Sequence, residues 1–291
     1  MRAGGRGRIS VFTLCIIAVA IGLAFMAIRI RSKEVDPHAG QVCINDGFGM
    51  VWITPLEGVD VSTFGNQDFK RVDGVITYMG DKYDVRRGVD VSEHQHDIDW
   101  SQVAQSGVDF AFIRVGYRGY SQGGLREDAY FKANIEGALQ NGIDVGVYFY
   151  SQAINVQEAL EEAQFVLERI EGYDVSLPVV FDWEIANDET RTANLDNETL
   201  NQCAVAFCEK IELEGYQPCV YFNRSFGYYK FDLALLDEYA FWVAVPGEFP
   251  DFYYDCEFWQ YSFVEEVPGI NTECDMNLWF TPKPEPEVPA E

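Results

Sequence analysis

Between Gly88 and Phe280 the chain alternates two hydrophobic periodicities. Short apolar runs of Val, Ile, Phe and Tyr, the kind that fills a strand buried on both faces, are each followed by a stretch with helical spacing. The strand candidates are Gly88–Ser92, Phe110–Gly116, Val145–Tyr150, Val179–Glu184 and Cys219–Asn223. Helices are predicted to begin near Trp100, Asp128, Val156, Asn197 and Ser225. Asp196-Asn197-Glu198-Thr199 has the form of an N-terminal cap, and Asn141-Gly142 that of a C-terminal one. After the fifth unit the helical spacing stops, leaving three strands at Phe241–Val245, Glu257–Tyr261 and Met276–Phe280. Five βα units and three strands predict an α/β fold: a closed, TIM-like barrel of eight strands with an incomplete helical jacket, over residues 87–280.

The flanks follow other patterns. Ile9–Ile28 is a run of twenty residues without a charge and without an amphipathic face, the length of a transmembrane anchor. Ala24-Phe25-Met26-Ala27 is a poor cleavage site, so the run reads as an anchor rather than a signal peptide. Residues 1–8 form a short tail before it and 29–45 a polar linker after it. Across 46–86, Val51-Trp52-Ile53 and Val75–Met79 resemble short strands between Gly, Asp and Asn turns, predicting a small β-rich appendage. The last stretch, 281–291 (TPKPEPEVPAE), is Pro- and Glu-rich and reads as a disordered tail.

Charge narrows the partners. The formal charge is −26, and six of the 21 basic residues precede every acidic one. The remaining 15 face 47 acids, a balance of −32 from Glu34 onward. Such a surface repels nucleic acid, which is excluded as a partner. Outside the anchor are six cysteines (Cys43, Cys203, Cys208, Cys219, Cys256, Cys274), compatible with up to three disulfides or with small buried hydrophobes. No Cys/His spacing indicates a metal, and no cofactor is implied. His94 and His96 lie in an Asp-rich loop and read as solvated.

In a barrel of this type chemistry sits at the carboxyl ends of the strands. Those ends carry Asp90, Arg114, Tyr148 and Tyr150, then Asp182 and Glu184, then Tyr221. The last three strands add Trp242, Trp259, Gln260 and Asp275. Asp182 and Glu184 are two apart in Pro178–Glu184 (PVVFDWE), so they share one face of a strand, roughly 6–7 Å apart at the backbone. Neighbouring carboxylates cannot both ionise freely, which makes one a candidate general acid. The alternative is a strand end with two solvated acids. Aromatic faces that stack on sugars, around acids with no nearby Cys or His, point to glycoside hydrolysis.

Six blocks carry a closer resemblance: GVDVSEHQHDIDW (Gly88–Trp100), FAFIRVGYRGY (Phe110–Tyr120), DVGVYFYSQAI (Asp144–Ile154), PVVFDWE, FWQYS (Phe258–Ser262) and CDMNLWF (Cys274–Phe280). In order and spacing they resemble the glycoside hydrolase family 25 lysozymes, N-acetylmuramidases with a flattened barrel of five βα units and three strands. The resemblance implies a monomeric catalytic domain that cleaves the β-1,4 bond between N-acetylmuramic acid and N-acetylglucosamine in peptidoglycan glycan strands. It implies Glu184 as general acid, Asp182 as the acid beside it, and Asp90 and Asp275 as further carboxylates of the pocket. Arg114, Tyr148, Tyr150, Tyr221, Trp242, Trp259 and Gln260 become substrate-binding candidates, with core packing the alternative for the two Trp and a carboxylate-holding role for Arg114. One departure is Trp242-Val243-Ala244-Val245-Pro246, where the family usually carries a Tyr two residues after the Ala. Two other functions stay open, an inactive wall-binding module and a glycosidase for another N-acetylated glycan. Flanking charges tie at the anchor, so its orientation rests on function: amino terminus cytoplasmic, barrel outside the cell, as a single-pass protein of the cell membrane.

Overall fold

The computed structural model describes Val19 and residues 36–284. The anchor segment Ile9–Ile28 therefore lies outside the described residues except for Val19; among the described residues no helix is long and apolar enough to cross a membrane. The chain divides into two compact units. The first joins Met1–Val42 to Trp52–Pro55, and in it His38 stacks on Trp52 at 4.0 Å. The second, Cys43–Val51 with Leu56–Glu291, carries the barrel.

Thirteen strands are present among the described residues. Four precede the barrel: β1 (Val42–Asn45), β2 (Met50–Ile53), β3 (Phe69–Val72) and β4 (Val75–Tyr78). The barrel strands are β5 (Tyr83–Val91), β6 (Phe110–Arg118), β8 (Asp144–Ser151), β9 (Val179–Trp183), β10 (Pro218–Asn223), β11 (Ala240–Ala244), β12 (Phe258–Glu265) and β13 (Cys274–Pro282). The short β7 (Leu125–Glu127) pairs only with β6. Pairing runs β5, β13, β12, β11, β10, β9, β8, β6 and closes through β5 and β6. Seven strands are parallel, and β13 is antiparallel to both neighbours. Eight strands and a mixed α/β fold are thus as the sequence predicts.

Among residues 36–284 the α-helices are α1 (Trp100–Gln105), α2 (Phe131–Gln140), α3 (Val156–Ile170), α4 (Asn197–Leu213) and α5 (Arg224–Tyr229). Asp196 caps α4 by accepting from the Thr199 N–H, and Asn141 closes α2 with Gly142 at φ +73°. The predicted start of α2 at Asp128 is three residues early. Asp128 is buried instead, taking the Tyr130 N–H at 2.9 Å and the Arg114 guanidinium at 2.7 Å.

Strand parity splits the core into two layers. Outward residues pack under the helices, and inward ones fill the barrel with Phe110, Phe112, Tyr148, Val180, Tyr221, Trp242 and Phe258. Room for these rings comes from Gly88 and Gly146, where a Cβ would stand 2.4 Å from Phe110 and Phe112 respectively.

Several boundaries move. β5 begins at Tyr83, inside the expected appendage; residues 83–87 pair only with β13 and, with Asp84, Arg86 and Arg87 among them, form no apolar run. β13 runs through Thr281 and Pro282, so the expected tail starts inside a strand; residues 285–291 lie outside the described residues. β1 likewise falls within the expected linker. The appendage adds to the barrel's outer core, where Phe69 meets Trp259 at 5.2 Å and Phe64 meets Phe280 at 4.5 Å. All six described cysteines are free thiols; five are buried as small hydrophobes, and Cys43 is exposed.

Candidate active site

A cavity of about 500 Å³ opens at the carboxyl ends of the parallel strands. Asp90, Asp182, Glu184 and Asp275 all line it, with Arg114 and the aromatic rings of Tyr148, Tyr150, Tyr221 and Trp242. Register explains the convergence. Asp182 is the neighbour of Tyr150 on one side and Tyr221 on the other, and Asp90 faces Asp275 across the antiparallel β5–β13 pair.

Asp182 and Glu184 meet in a side-chain hydrogen bond. Asp182 is only 5% exposed, and its Oδ1 receives no donor. Burial pushes its carboxyl well above the ordinary range, and the charges of Glu184 and Asp90 push the same way. Burial also raises Glu184, which stands nearer solvent at the mouth. Two acids in contact in a poorly solvated place retain one proton between them.

The second pair is Asp90 and Asp275. Burial raises Asp90 to about 6, opposed by hydrogen bonds from Asn277 and Gln260. Asp275 rises to about 9 through burial and the negative charge of Asp90. Gln260 Nε2 donates to both, at 2.9 Å to Asp90 and 3.0 Å to Asp275, while the Tyr221 hydroxyl donates to its Oε1 at 2.7 Å. A parallel chain runs from Trp242 Nε1 to Asn277 Oδ1 (2.8 Å) and from Asn277 Nδ2 to Asp90 (2.8 Å). Asp90 and Asp275 therefore sit in a fixed polar frame.

Of the expected substrate contacts, Trp259 and Gln260 do not line the cavity, and Trp242 and Arg114 line it in restricted ways. Trp259 is fully buried on the outer side of β12, its indole donating to the Val245 carbonyl at 2.8 Å; it does not reach the cavity. Gln260 faces inward but lies beneath the cavity, where it holds carboxylates. Trp242 does line the cavity, yet is only 2% exposed and stacked on Phe112 at 4.5 Å, so it forms a floor. Arg114 lines the wall, but its charge is paired with Asp128 (2.7 Å) and Glu93 (3.2 Å), not with the four acids. Sequence reasoning missed Asn277, although it follows Asp275 by two and must share its face. Tyr117, Tyr120, Glu93, His94 and Gln95 also line the cavity from strand ends and loops, and Gln95 caps the turn at Ser92. Among the described residues no cluster of three or more His, Cys, Asp or Glu side chains is arranged to hold a metal.

The sequence profile of glycosyl hydrolases family 25 matches residues 89–270, more than half of the chain. The chain belongs to glycosyl hydrolases family 25. This family 25 glycoside hydrolase is 29% identical over 209 residues to the uncharacterised protein YegX of Escherichia coli K12, covering 66% of this chain and 68% of that protein. It is 26% identical over 208 residues to lysozyme M1 of Streptomyces globisporus, covering 66% of each. Among solved structures, the modular autolysin LytC from Streptococcus pneumoniae superposes with a TM-score of 0.61 at 26% identity, over 82% of this chain and 56% of that one. The family 25 glycosyl hydrolase from Bacillus anthracis, at 21% identity and a TM-score of 0.57, shares the fold.

Proposed function

We propose that this enzyme is an N-acetylmuramidase, cutting the β-1,4 bond between N-acetylmuramic acid and N-acetylglucosamine in peptidoglycan, with Glu184 as general acid. The observation that carries the reading is the Asp182–Glu184 pair at the mouth of a cavity walled by acids and aromatic rings, where burial raises both carboxyls. The lysozyme relatives, and a LytC structure in complex with a synthetic peptidoglycan ligand, support the choice of glycan. An inactive wall-binding role is disfavoured because all four carboxyls are present and converge.

Glu184, the more open of the two, gives its proton to the glycosidic oxygen as the bond to the anomeric carbon breaks. Asp182 lies on the same wall, so the pair does not flank the bond from opposite faces, as a protein nucleophile or an inverting base would require. The substrate's own N-acetyl oxygen then attacks the anomeric carbon while Asp182 orients the amide. Water opens the cyclic intermediate, returning its proton to Glu184 and retaining configuration.

Glu184→Gln is expected to remove nearly all clearing of purified cell walls while leaving the fold intact; a variant that keeps about a tenth of the parent rate overturns the assignment. Asp182→Asn is expected to lose rate sharply and still bind the glycan. A second reading, a glycosidase for another N-acetylated glycan, has one observation in its favour. Among the described residues Arg114 is the one Arg or Lys lining the cavity, and its guanidinium is already paired with Asp128 and Glu93 rather than open to the lactyl carboxylate of muramic acid. Identifying the new reducing end decides between the two. In the cell we place the barrel outside a membrane anchored by Ile9–Ile28, where peptidoglycan is accessible; protease digestion of intact cells that spares the barrel contradicts this.

A further inference from the structure

The β9 ladder ends before Glu184. On the β8 side the last registered pair is Ser151 with Trp183, and on the β10 side it is Tyr221 with Asp182. Glu184 therefore hangs one residue past the sheet, at the root of a stretch whose residues 186–189 are exposed. A carboxyl on such a root would wander, yet it meets Asp182 in a hydrogen bond.

We propose that Gln152 and Thr192 are positioning residues that clamp the Glu184 main chain and so set its carboxyl against Asp182 and the substrate. Gln152 follows the last residue of β8 and is fully buried. Its Nε2 donates to the Glu184 carbonyl at 2.6 Å and to the Ser151 carbonyl at 3.0 Å, supplying with a side chain the rung that the sheet no longer provides. Its Oε1 accepts from the Thr192 hydroxyl at 3.0 Å, and that same hydroxyl stands 3.4 Å from the Glu184 carbonyl. Thr192, also fully buried, thus brings the returning end of the 185–191 stretch back onto its start.

The clamp has a firm base. Ser151 donates to the buried Glu162 at 2.6 Å, Glu162 is paired with Arg118 at 2.6 Å, and the Ala153 N–H donates back to the Ser151 hydroxyl at 3.2 Å. The Trp183 indole donates to the Ala153 carbonyl at 3.1 Å. Trp183 and Glu184 are thereby both tied to the 151–153 segment. Neither Gln152 nor Thr192 touches the cavity, so each acts through Glu184. Losing the clamp shifts the acid by a fraction of its length, and misplacement of about 1 Å costs on the order of a hundredfold in rate.

This inference rests on Glu184 being the acid, so Glu184→Gln is measured in the same assay. The test uses the full chain acting on soluble peptidoglycan fragments, with kcat, KM and melting temperature recorded for each variant. Thr192→Val keeps the shape of the side chain and removes the hydroxyl; Gln152→Met removes both amide bonds. Both are expected to lose at least about tenfold in kcat with KM within about twofold, and Thr192→Ser to restore kcat. Should Thr192→Val and Gln152→Met both keep kcat within about twofold while Glu184→Gln is inactive, the clamp is wrong and the acid assignment stands. An active Glu184→Gln overturns both. A Thr192→Ser variant as slow as Thr192→Val also overturns the clamp, since bulk rather than the hydroxyl would then matter.

Discussion

Asp275 holds its proton to about pH 9 because burial and the charge on Asp90 both oppose ionisation. In the unfolded chain the same group ionises near 3.8. Between those values the unfolded state binds fewer protons than the native one, so this residue's contribution to stability is lost as pH rises. Asp275→Asn keeps an acceptor for Gln260 and a donor toward Asp90 without an acid to ionise. Its melting temperature relative to the parent is therefore expected to improve steadily from pH 4 to pH 9; a constant difference contradicts the raised pKa. At this scale the sequence was most informative where parity could be applied. Asp182 and Glu184, or Asp275 and Asn277, share a face by spacing alone. The same rule forbids adjacent Trp259 and Gln260 from both facing the cavity, and their neighbour Phe258, which fills the barrel, decides which one turns outward. Gln152 and Thr192 left no such signal, since both lie outside regular strands and helices.

Among the elements, those with continuous apolar runs were legible to within a few residues, and their caps at Asp196 and Asn141 were readable from short-range hydrogen-bonding chemistry. The ends of β5 and β13 were not, because the residues there alternate charged and apolar positions and pair with only part of the sheet. In the β3–β4 hairpin only β4 was anticipated, through Val75–Met79; nothing in the sequence announced β3 or what the hairpin covers. Its Phe69 is 7% exposed and packs against Trp259, Tyr78 and Phe280. Phe69→Ala is expected to destabilise the protein by about 3 kcal/mol through lost transfer energy and a cavity. Denaturant unfolding measures this, and a loss under about 1 kcal/mol would show the hairpin to be dispensable for the barrel's outer core.

At the scale of the whole chain, the charge of −26 sets how the enzyme meets its substrate. Wall polymers that are themselves anionic repel such a surface, and salt weakens that repulsion over a Debye length of about 8 Å at physiological ionic strength. Hydrolysis of walls bearing anionic polymers is therefore expected to accelerate as salt is raised, while walls stripped of them respond little; equal salt responses contradict the electrostatic account. The fold was legible at this scale because βα periodicity and carboxyl-end acids are regular features, whereas Tyr117, past a bulge in β6, and Tyr120, in the loop after it, line the cavity at positions that no period locates. The most direct test of the muramidase reading is proton NMR of the first-formed product from defined peptidoglycan glycan strands. N-acetylmuramic acid at the new reducing end, released with its β configuration retained, is the expected result. Release of the α anomer contradicts substrate assistance and makes Asp90 or Asp275 the base for an attacking water, and a reducing end other than muramic acid contradicts the substrate.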